Sequence, residues 1–425
     1  MMESNDITES NAMREDVIKI VSDSIEAVLP DRAVEQALSG IRLEGNLYVA
    51  AFGKAGWQMA SAAGRILKGK MKKGVVVTKY HHSRGDLPGF QIIEAGHPVP
   101  DENSVYGAEK IMELMNRAKE GDTVILLISG GGSSLLEKPE QGLSLNDIQE
   151  VTQKLLQCGA AIQEINVVRK RLSAVKGGKL AKIGEKAKIY QVVLSDIIDD
   201  NLEMIASGPA CADTSSYDDV IRIKEKYNLS FHERIERALK TETPKHISHV
   251  KSVITGSVRE LCSSAAKSAG ALGYKPYILT TELDCEAREA GSFMAAIARC
   301  IDSDKISSFV RPCAVIAGGE TVVNLTGSGK GGRNQELVLS AARGIEGLKN
   351  TVLFSIGSDG TDGPTDAAGA VADGMTMKEL RKQGINCDKV LKENDSYTAL
   401  KQIDSLIITG ATGTNVNDVT VLLCR

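Results

Sequence analysis

The chain has 425 residues, of which 42% are hydrophobic and 25% are charged, a composition typical of soluble globular proteins. A net charge of −4 and an aromatic content of 4% argue against a surface for nucleic acid or anionic membrane. No apolar run is long enough to span a bilayer, and the amino terminus lacks the apolar core of a signal peptide. We therefore expect a cytoplasmic protein with no nucleic-acid and no membrane partner.

The eight cysteines form no CxxC pair, and several lie in apolar runs, such as Cys313 in CAVIAGG and Cys424 in VTVLLCR. This distribution predicts buried thiols in a reducing compartment. Because neither the cysteines nor the six histidines show the spacing of metal ligands, a zinc site is not expected.

The first twelve residues are polar, and we expect residues 1–12 to be a disordered tail. From Val17 onward apolar residues recur at helical spacing until Pro30. Short apolar runs then alternate with helical stretches, and these runs are predicted as strands. The predicted strands are Leu47–Phe52, Val75–Thr78, Gln91–Glu94, Val124–Ser129, Tyr190–Ser195, Ser252–Thr255, Pro276–Thr280, Ala314–Ala317, Val352–Ile356, Leu406–Thr409 and Val419–Leu423.

Most of these runs are continuously apolar, which is typical of parallel strands covered on both faces. Several lead directly into glycine and then into a helix, as in AAFGKAG, LLISGGGSS and VIAGGET. The pattern predicts a doubly wound α/β fold, in which ligands bind beyond the carboxyl ends of the strands. The polar stretch 241–250 is the best candidate for a domain boundary. We therefore place a Rossmann-like domain at 13–245 and a smaller α/β domain at 246–425.

Two turns at strand ends carry residues suited to anions. Lys54 lies in GKAG at the first turn, where its compact charge suits a phosphoryl group or a carboxylate. A solvated surface lysine is the alternative. The SGGGSS turn offers bare backbone N–H groups and two hydroxyls for a phosphate, although a tight strand-to-helix turn also requires glycine. Its candidate ligands are Ser129, Gly130, Gly131, Gly132, Ser133 and Ser134.

The stretch NVVRKRLSAVKGGKLA at 166–181 places several basic residues on a pattern with near-helical spacing. Arg169 and Lys176 are candidates for contact with an anion if one basic face points toward it. A solvated charged helix is an equally good interpretation.

Three aspartates follow strands and are candidates for holding Mg²⁺ or for receiving a proton from an alcohol. Asp196 ends the strand Tyr190–Ser195, whereas Asp359 and Asp366 lie in the loop GSDGTDGPTDAAGA. A loop stabilised by Asx turns is the alternative for the latter two.

The densest concentration of such residues is the window GGETVVNLTGSGKGGRNQE at 318–336, which ends where a helical pattern begins. Glycines can turn N–H groups toward an anion, and Arg333 can supply a planar fork for phosphate or carboxylate. A solvated hairpin turn is the alternative. Candidate ligands beside Arg333 are Gly318, Gly319, Glu320, Thr321, Gly331, Gly332 and Asn334.

Two common nucleotide motifs do not account for these turns. The chain contains no GxxxxGK[ST] P-loop. Gly327, Gly329 and Gly332 match GxGxxG formally, but no acidic residue follows about 20 positions later, as a dinucleotide fold requires.

Eight blocks in this order resemble the glycerate 2-kinase family, the class II glycerate kinases with a carboxyl-terminal MOFRL domain. The blocks are AFGKAG, SGGGSSLL, NVVRKRLSAVKGGKLA, SDIIDDNLEMIASGP, AGGETVV, GKGGRNQE, GSDGTDGPTDAAGAV and TGATGTNVND, and they cover nearly the whole chain. The resemblance implies that residues 246–425 form the MOFRL-type domain and that the active site lies in the cleft between the two domains.

The resemblance further implies phosphorylation of the 2-hydroxyl of D-glycerate by ATP with Mg²⁺ or another divalent cation. The conserved lysine and arginine of the family fall on Lys54 and Arg333. We expect both to stabilise the transferring phosphoryl group, while Asp196, Asp359 or Asp366 holds metal or receives the hydroxyl proton.

Two alternatives stay open: a hydroxypyruvate reductase that uses NADH or NADPH, and an anion- or nucleotide-binding protein without catalysis. The residues themselves do not indicate which glycine-rich loop holds ATP. They are also silent on oligomeric state, for which a homodimer is a working assumption.

Overall fold

The computed structural model describes residues 2–198, 200–303 and 308–425, without the side chains of residues 2–11. Its contacts form two compact units. We call Pro30–Thr255 the central unit, and Met1–Leu29 together with Gly256–Arg425 the terminal unit. In these described ranges, no helix combines the length and the apolar character that crossing a membrane requires.

The chain begins with helix α1 (Met2–Ala27), which belongs to the terminal unit. The strands of the central unit are β1 (Leu47–Phe52), β2 (Met71–Lys79), β3 (Phe90–Ala95), β4 (Thr123–Ile128), β5 (Lys188–Leu194) and β6 (Val250–Gly256). Its helices are α2 (Pro30–Ser39), α3 (Gly56–Ile66), α4 (Glu102–Arg117), α5 (Gly132–Leu135), α6 (Leu145–Gln157), α7 (Ile162–Leu172), α8 (Lys179–Ile183), α9 (Tyr217–Lys226) and α10 (Glu233–Leu239).

The six strands of the central unit form one sheet in the order β3-β2-β1-β4-β5-β6. Strands β3, β2, β1, β4 and β5 pair in parallel along this order. Every residue of β1 and β4 is buried, as expected for central strands of a parallel sheet, and all of their side chains except Thr123 are aliphatic or aromatic. Parallel pairing brings the turns that follow β1 and β4 to the same edge of the sheet, since Phe52 lies opposite Ile128.

The terminal unit contains a second six-stranded sheet. Its strands are β7 (Lys275–Leu283), β8 (Cys313–Gly319), β9 (Thr351–Gly357), β10 (Gly369–Asp373), β11 (Leu406–Ile407) and β12 (Asp418–Cys424), in the order β11-β10-β9-β12-β8-β7. Its further helices are α11 (Val258–Ala271), α12 (Ala287–Asp302), α13 (Arg333–Gly344), α14 (Thr376–Lys382), α15 (Cys387–Lys392) and α16 (Ser396–Lys401).

The predicted two-domain α/β fold is confirmed, and every predicted strand overlaps an observed one. The expectation of parallel strands holds in the central sheet but is wrong for most of the terminal sheet, where β12 runs antiparallel to both β8 and β9. Strands β9 and β12 are buried along their whole length and are mostly apolar, as parallel strands would also be, so composition did not reveal their antiparallel pairing. Strand β10 was not predicted, because GAVAD is short and follows a loop rich in glycine and aspartate.

The compact units differ from the predicted division at residues 13–245 and 246–425. Strand β6 completes the central sheet, so the units separate after Thr255. Helix α1 begins at Met2, whereas a disordered tail was expected over residues 1–12, and it packs against α11 of the terminal unit. Ser268 Oγ donates to Asp23 Oδ2 at 2.7 Å, and Tyr274 OH donates to Asp16 Oδ2 at 2.7 Å. Local sequence patterns cannot report such contacts, because their partners lie about 250 positions apart.

The buried face of α1 allows a test of this assignment. Ile20 is fully buried and Ile18 is 69% exposed on the same helix. We expect Ile20→Ala to lower the free energy of unfolding by about 2–5 kcal/mol, since it leaves a cavity in a packed core. The matched Ile18→Ala should change it by less than about 0.5 kcal/mol. Urea unfolding followed by circular dichroism measures both, and equal effects would contradict the docking of α1.

Candidate active site

The central unit carries one candidate region, the Lys54 site, which we define by Lys54, His97, Gly130–Gly132 and Asp196. Two turns at the sheet edge approach so closely that side chains are excluded. A Cβ on Gly53, which has φ +122°, would lie 2.2 Å from Ser129 Oγ. The same Ser129 hydroxyl accepts the Ala55 N–H at 3.0 Å. The Lys54 N–H donates to Gly130 O at 2.8 Å, so the two turns form one unit.

The Lys54 side chain lies along the bare backbone of the glycine loop. A Cβ on Gly131 would be 3.2 Å from Lys54 Cγ and 2.9 Å from His97 Cδ2. Within the described ranges, the Lys54 side chain takes part in no hydrogen bond and no ion pair. Such a lysine at a strand edge beside glycine N–H groups suits an anionic ligand.

His97 was not singled out from the sequence, although it follows the predicted strand Gln91–Glu94 at the same edge. Burial and, to a smaller extent, the positive charges of Lys54 and Lys79 together lower the pKa of His97 to about 4. The imidazole is therefore neutral at pH 7.

The structure brings Asp196, a candidate from the sequence, to this loop. A Cβ on Gly130 would lie 2.2 Å from Asp196 Oδ2, so the carboxylate rests against the glycine backbone. A Cβ on Gly132 would lie 2.8 Å from the Ala206 methyl group. The consecutive glycines thus let two other segments approach the loop, in addition to freeing N–H groups for a ligand.

The hydroxyls of Ser133 and Ser134, the last two residues of the loop, form hydrogen bonds within the protein. Ser133 Oγ lies 2.8 Å from Ser207 Oγ, and Ser207 Oγ donates to Asn166 Oδ1 at 2.8 Å. Ser134 Oγ donates to Gly131 O at 3.2 Å. Three of the motifs identified in the sequence therefore converge: SGGGSS, NVVRK and IASGP.

Arg169 and Lys176 support this loop from inside the protein. Lys176 is 1% exposed and donates to Glu137 Oε2 at 2.8 Å and to Leu136 O at 2.9 Å. Burial lowers the pKa of Lys176 to about 8, which Glu137 opposes. Arg169 donates to Ser133 O at 3.1 Å and lies 4.0 Å from Glu137, and burial lowers its pKa despite that carboxylate. The interpretation as a solvated charged helix is wrong for these two residues, since Lys176 is 1% exposed and the Arg169 side chain is 12% exposed. Their contact with an anion stays a prediction.

The terminal unit carries the second region, the Arg333 site, defined by Glu320, Arg333, Asp359 and Asp418. Arg333 opens helix α13 and binds Asp418 with two donors, Nε to Oδ2 at 2.5 Å and Nη2 to Oδ1 at 2.9 Å. Its Nη1 donates to Glu320 Oε1 at 2.9 Å. Burial lowers the pKa of Arg333, but the hydrogen bond and charge of Asp418 outweigh burial and leave the pKa raised. Burial raises the pKa of Asp418 to about 6, against the effect of Arg333.

The N–H groups at the start of α13 were predicted to bind an anionic ligand. In the structure they bind a carboxylate of the protein itself, that of Asp362. The buried Asp362 carboxylate accepts the N–H groups of Asn334 at 3.1 Å and of Gln335 at 2.9 Å. A Cβ on Gly332 would lie 2.2 Å from Asp362 Cγ, and one on Gly331 would lie 2.2 Å from Ser396 Oγ. These two glycines are thus required for close packing, and Asn334 lies in the core below the site.

The residues at the end of β8 also differ in role. A Cβ on Gly318 would lie 2.3 Å from Cys262 Sγ, and one on Gly319 would lie 2.1 Å from Leu283 O. Thr321 is buried, whereas Glu320 is exposed and reaches Arg333. Of this group, Glu320 is the residue placed to meet a ligand.

Of the two candidate aspartates in the 357–370 loop, Asp359 forms an Asx turn, whereas Asp366 accepts a hydrogen bond from a distant tyrosine. Asp359 Oδ1 accepts the Thr361 N–H at 2.9 Å, and Asp366 Oδ1 accepts the Tyr397 hydroxyl at 2.7 Å, which lowers the pKa of Asp366. Among the described residues, no three His, Cys, Asp or Glu side chains gather as a metal site. Carboxylates at this loop still fit Mg²⁺, which binds through one or two carboxylates and takes its other oxygens from water and phosphate. A Cβ on Gly357 would lie 3.5 Å from Asp359 Oδ1 and 3.4 Å from Asp418 Oδ1.

Comparison with known proteins places the chain in a family. Residues 16–240 match the family described as a domain of unknown function, DUF4147, and residues 313–418 match the MOFRL family. A D-glycerate 2-kinase from Thermotoga maritima is 51% identical over 95% of this chain and 96% of its own length. A glycerate 2-kinase from Pyrococcus horikoshii is 43% identical over 97% of each chain. The crystal structure of a glycerate kinase from Thermotoga maritima matches with a TM-score of 0.95 at 50% identity, over 98% of this chain and 100% of that one.

The ion pair between Arg333 and Asp418 predicts a pH dependence. Asp418 has a raised pKa of about 6, so its carboxylate is lost as the pH falls through that value, and Arg333 loses its bidentate anchor. We expect kcat/KM with D-glycerate and ATP to decline below about pH 6. Asp418→Asn should lower kcat/KM by up to about 100-fold at neutral pH, because Arg333 is misplaced, and should abolish this acid limb.

The measurement is a pH profile of initial rates for the parent protein, Asp418→Asn and a control. Asp388→Asn is the matched control, since Asp388 is an exposed carboxylate paired with Arg343 on the surface. An acid limb that persists unchanged in Asp418→Asn would show that another group titrates.

Proposed function

Because the chain belongs to the glycerate 2-kinase family, we propose that it transfers the γ-phosphoryl group of ATP to the 2-hydroxyl of D-glycerate. The identity to named kinases extends over nearly the whole chain and supports this activity. One structural observation carries the proposal: the Lys54 side chain, which has no hydrogen bond and no ion pair among the described residues, lies against the same glycine loop as the Asp196 carboxylate. The named relatives also favour a kinase over the reductase alternative.

Phosphoryl transfer requires mainly positioning and the neutralisation of charge. In our proposal Lys54 binds an oxygen of the transferring group, and the N–H groups of the 130–132 backbone bind neighbouring oxygens. Glu137 contributes indirectly, since its buried pairing with Lys176 holds the loop in place.

Arg333 is the second cation that we propose for the transferring group. Arg333 donates hydrogen bonds from Nε to Asp418 and from Nη1 to Glu320. The Glu320 side chain is half exposed. A bound anion can replace Glu320 at Nη1, because an exposed ion pair contributes little stability. The buried bond to Asp418 would then keep the fork oriented throughout.

We propose that Asp359 or Asp196 holds Mg²⁺, which would shield the negative charge of the ATP phosphates. Asp366 is less suited, since Tyr397 already occupies its Oδ1. Asp196 is also our candidate for receiving the hydroxyl proton, because it lies against the same glycine loop as Lys54. The cytoplasmic location and the homodimer are further proposals; all eight cysteines are free thiols, which supports a reducing compartment.

The direct test is phosphorus NMR of the purified protein with ATP, Mg²⁺ and D-glycerate. A signal for 2-phosphoglycerate is expected. A signal for 3-phosphoglycerate would retain a kinase but overturn the proposed position of transfer. If no phosphoester forms, the kinase proposal fails, and oxidation of NADH or NADPH by hydroxypyruvate tests the reductase alternative.

The role of Lys54 has its own test. Lys54→Ala should lower kcat by roughly 10²–10³-fold with the fold intact, because one preorganised charge no longer stabilises the transition state. Lys72→Ala is the matched control, since Lys72 is exposed on β2 and its loss should leave kcat unchanged. Steady-state rates and circular dichroism are recorded for both variants. Near-parental kcat in Lys54→Ala would remove Lys54 from the chemistry.

A further inference from the structure

His97 occupies a position that the roles assigned above leave unexplained. It follows β3 at the edge of the central sheet and lies against the same glycine loop as Lys54. A Cβ on Gly131 would lie 3.0 Å from His97 Nε2, so this ring nitrogen faces the bare backbone of the loop. The imidazole therefore lies at the glycine loop where we propose that the substrate anion binds.

The ring nitrogens of His97 have no hydrogen-bond partner among the described residues. In the described part of the chain, neither nitrogen of His97 takes part in a hydrogen bond or an ion pair. His82 differs, since its Nδ1 lies 3.1 Å from Lys54 O and supports the Lys54 turn. A half-buried imidazole without a protein partner is costly unless water or a ligand satisfies it.

The chemistry of the ring narrows the ligand group. Burial and the nearby lysines keep His97 uncharged at neutral pH, so one ring nitrogen donates and the other accepts. A carboxylate or a phosphate is better served by Lys54 beside it, which carries the charge. A hydroxyl group, which both donates and accepts, is the complementary partner of a neutral imidazole.

We propose that His97 hydrogen-bonds the 3-hydroxyl of D-glycerate and thereby selects this acid over analogues without that group. The assignment rests on the proposed function. The reacting 2-hydroxyl is the less suitable partner, because a base with so low an affinity for protons is poorly matched to an alcohol at neutral pH. The 3-hydroxyl is the remaining neutral polar group of the substrate.

The test compares D-glycerate with D-lactate, which has the same configuration and lacks only the 3-hydroxyl. We expect the parent protein to prefer D-glycerate in kcat/KM. His97→Ala should lower the ratio of kcat/KM for D-glycerate to kcat/KM for D-lactate by about 10- to 100-fold, because kcat/KM for D-glycerate falls. The KM of ATP should stay unchanged. His97→Asn should retain part of the preference, since its amide still donates and accepts.

His232→Ala is the matched control, because His232 is an exposed histidine that precedes α10 and should not affect either substrate. An unchanged preference in folded His97→Ala, or an equal loss with both acids, would overturn the assignment to the 3-hydroxyl. If His97→Ala does not fold, His97→Asn and His97→Gln carry the same comparison.

Calorimetric affinities for both acids separate this inference from the proposed function. If the parent protein shows no turnover, the kinase proposal fails, while a smaller affinity difference between the two acids in the His97 variants still supports the inference. If the parent binds both acids equally, or binds neither, the inference fails.

Discussion

The Lys54 site depends on the close approach of two turns at the edge of the central sheet. Gly53 and Ser129 come so near that a side chain on the glycine would overlap the serine hydroxyl. This approach fixes the Lys54 backbone through Gly130 and aligns the lysine with the glycine loop. Parallel pairing of β1 with β4 makes it possible, since both strands end at the same edge. The positions of His97 and Asp196 relative to the loop follow from the same geometry.

Buried counter-charges organise the basic residues around both regions. Glu137 is enclosed with Lys176 beneath the SGGGSS loop, and the buried Asp418 carboxylate holds the partly exposed Arg333 at the start of α13. Taking such charges out of water is costly, so these pairs are weak contributors to stability. Their value lies in orientation, because each cation has only one well-satisfied position. Lys54 is the contrasting case: it has no such counter-charge in the described ranges, which leaves its charge for a ligand.

Sequence reasoning performed best where a pattern repeats locally. Strand β1 was predicted with its observed limits, and the remaining predicted strands differ from the observed ones mainly at their ends. It failed where direction or partner depends on distant segments. The antiparallel course of β12 and the docking of α1 on α11 leave no local trace in the pattern of apolar residues. The anion cradle at the start of α13 was misjudged for a similar reason, because Asp362, which fills it, lies 28 residues beyond Asn334.

The sequence by itself determined the α/β class and the glycine turns at strand ends, and it selected Lys54, Arg333 and Asp196 as candidates whose roles stay predictions. These follow from residue types at fixed local spacing, which govern backbone freedom and charge. Only the tertiary structure decided which charges are available to a ligand and which are consumed within the protein. Lys176 and Lys54 are both lysines beside glycines in the chain, yet one is paired with Glu137 and the other is not. That difference arises from burial and from partners remote in sequence, since the electrostatic environment of a side chain is set by its neighbours in space.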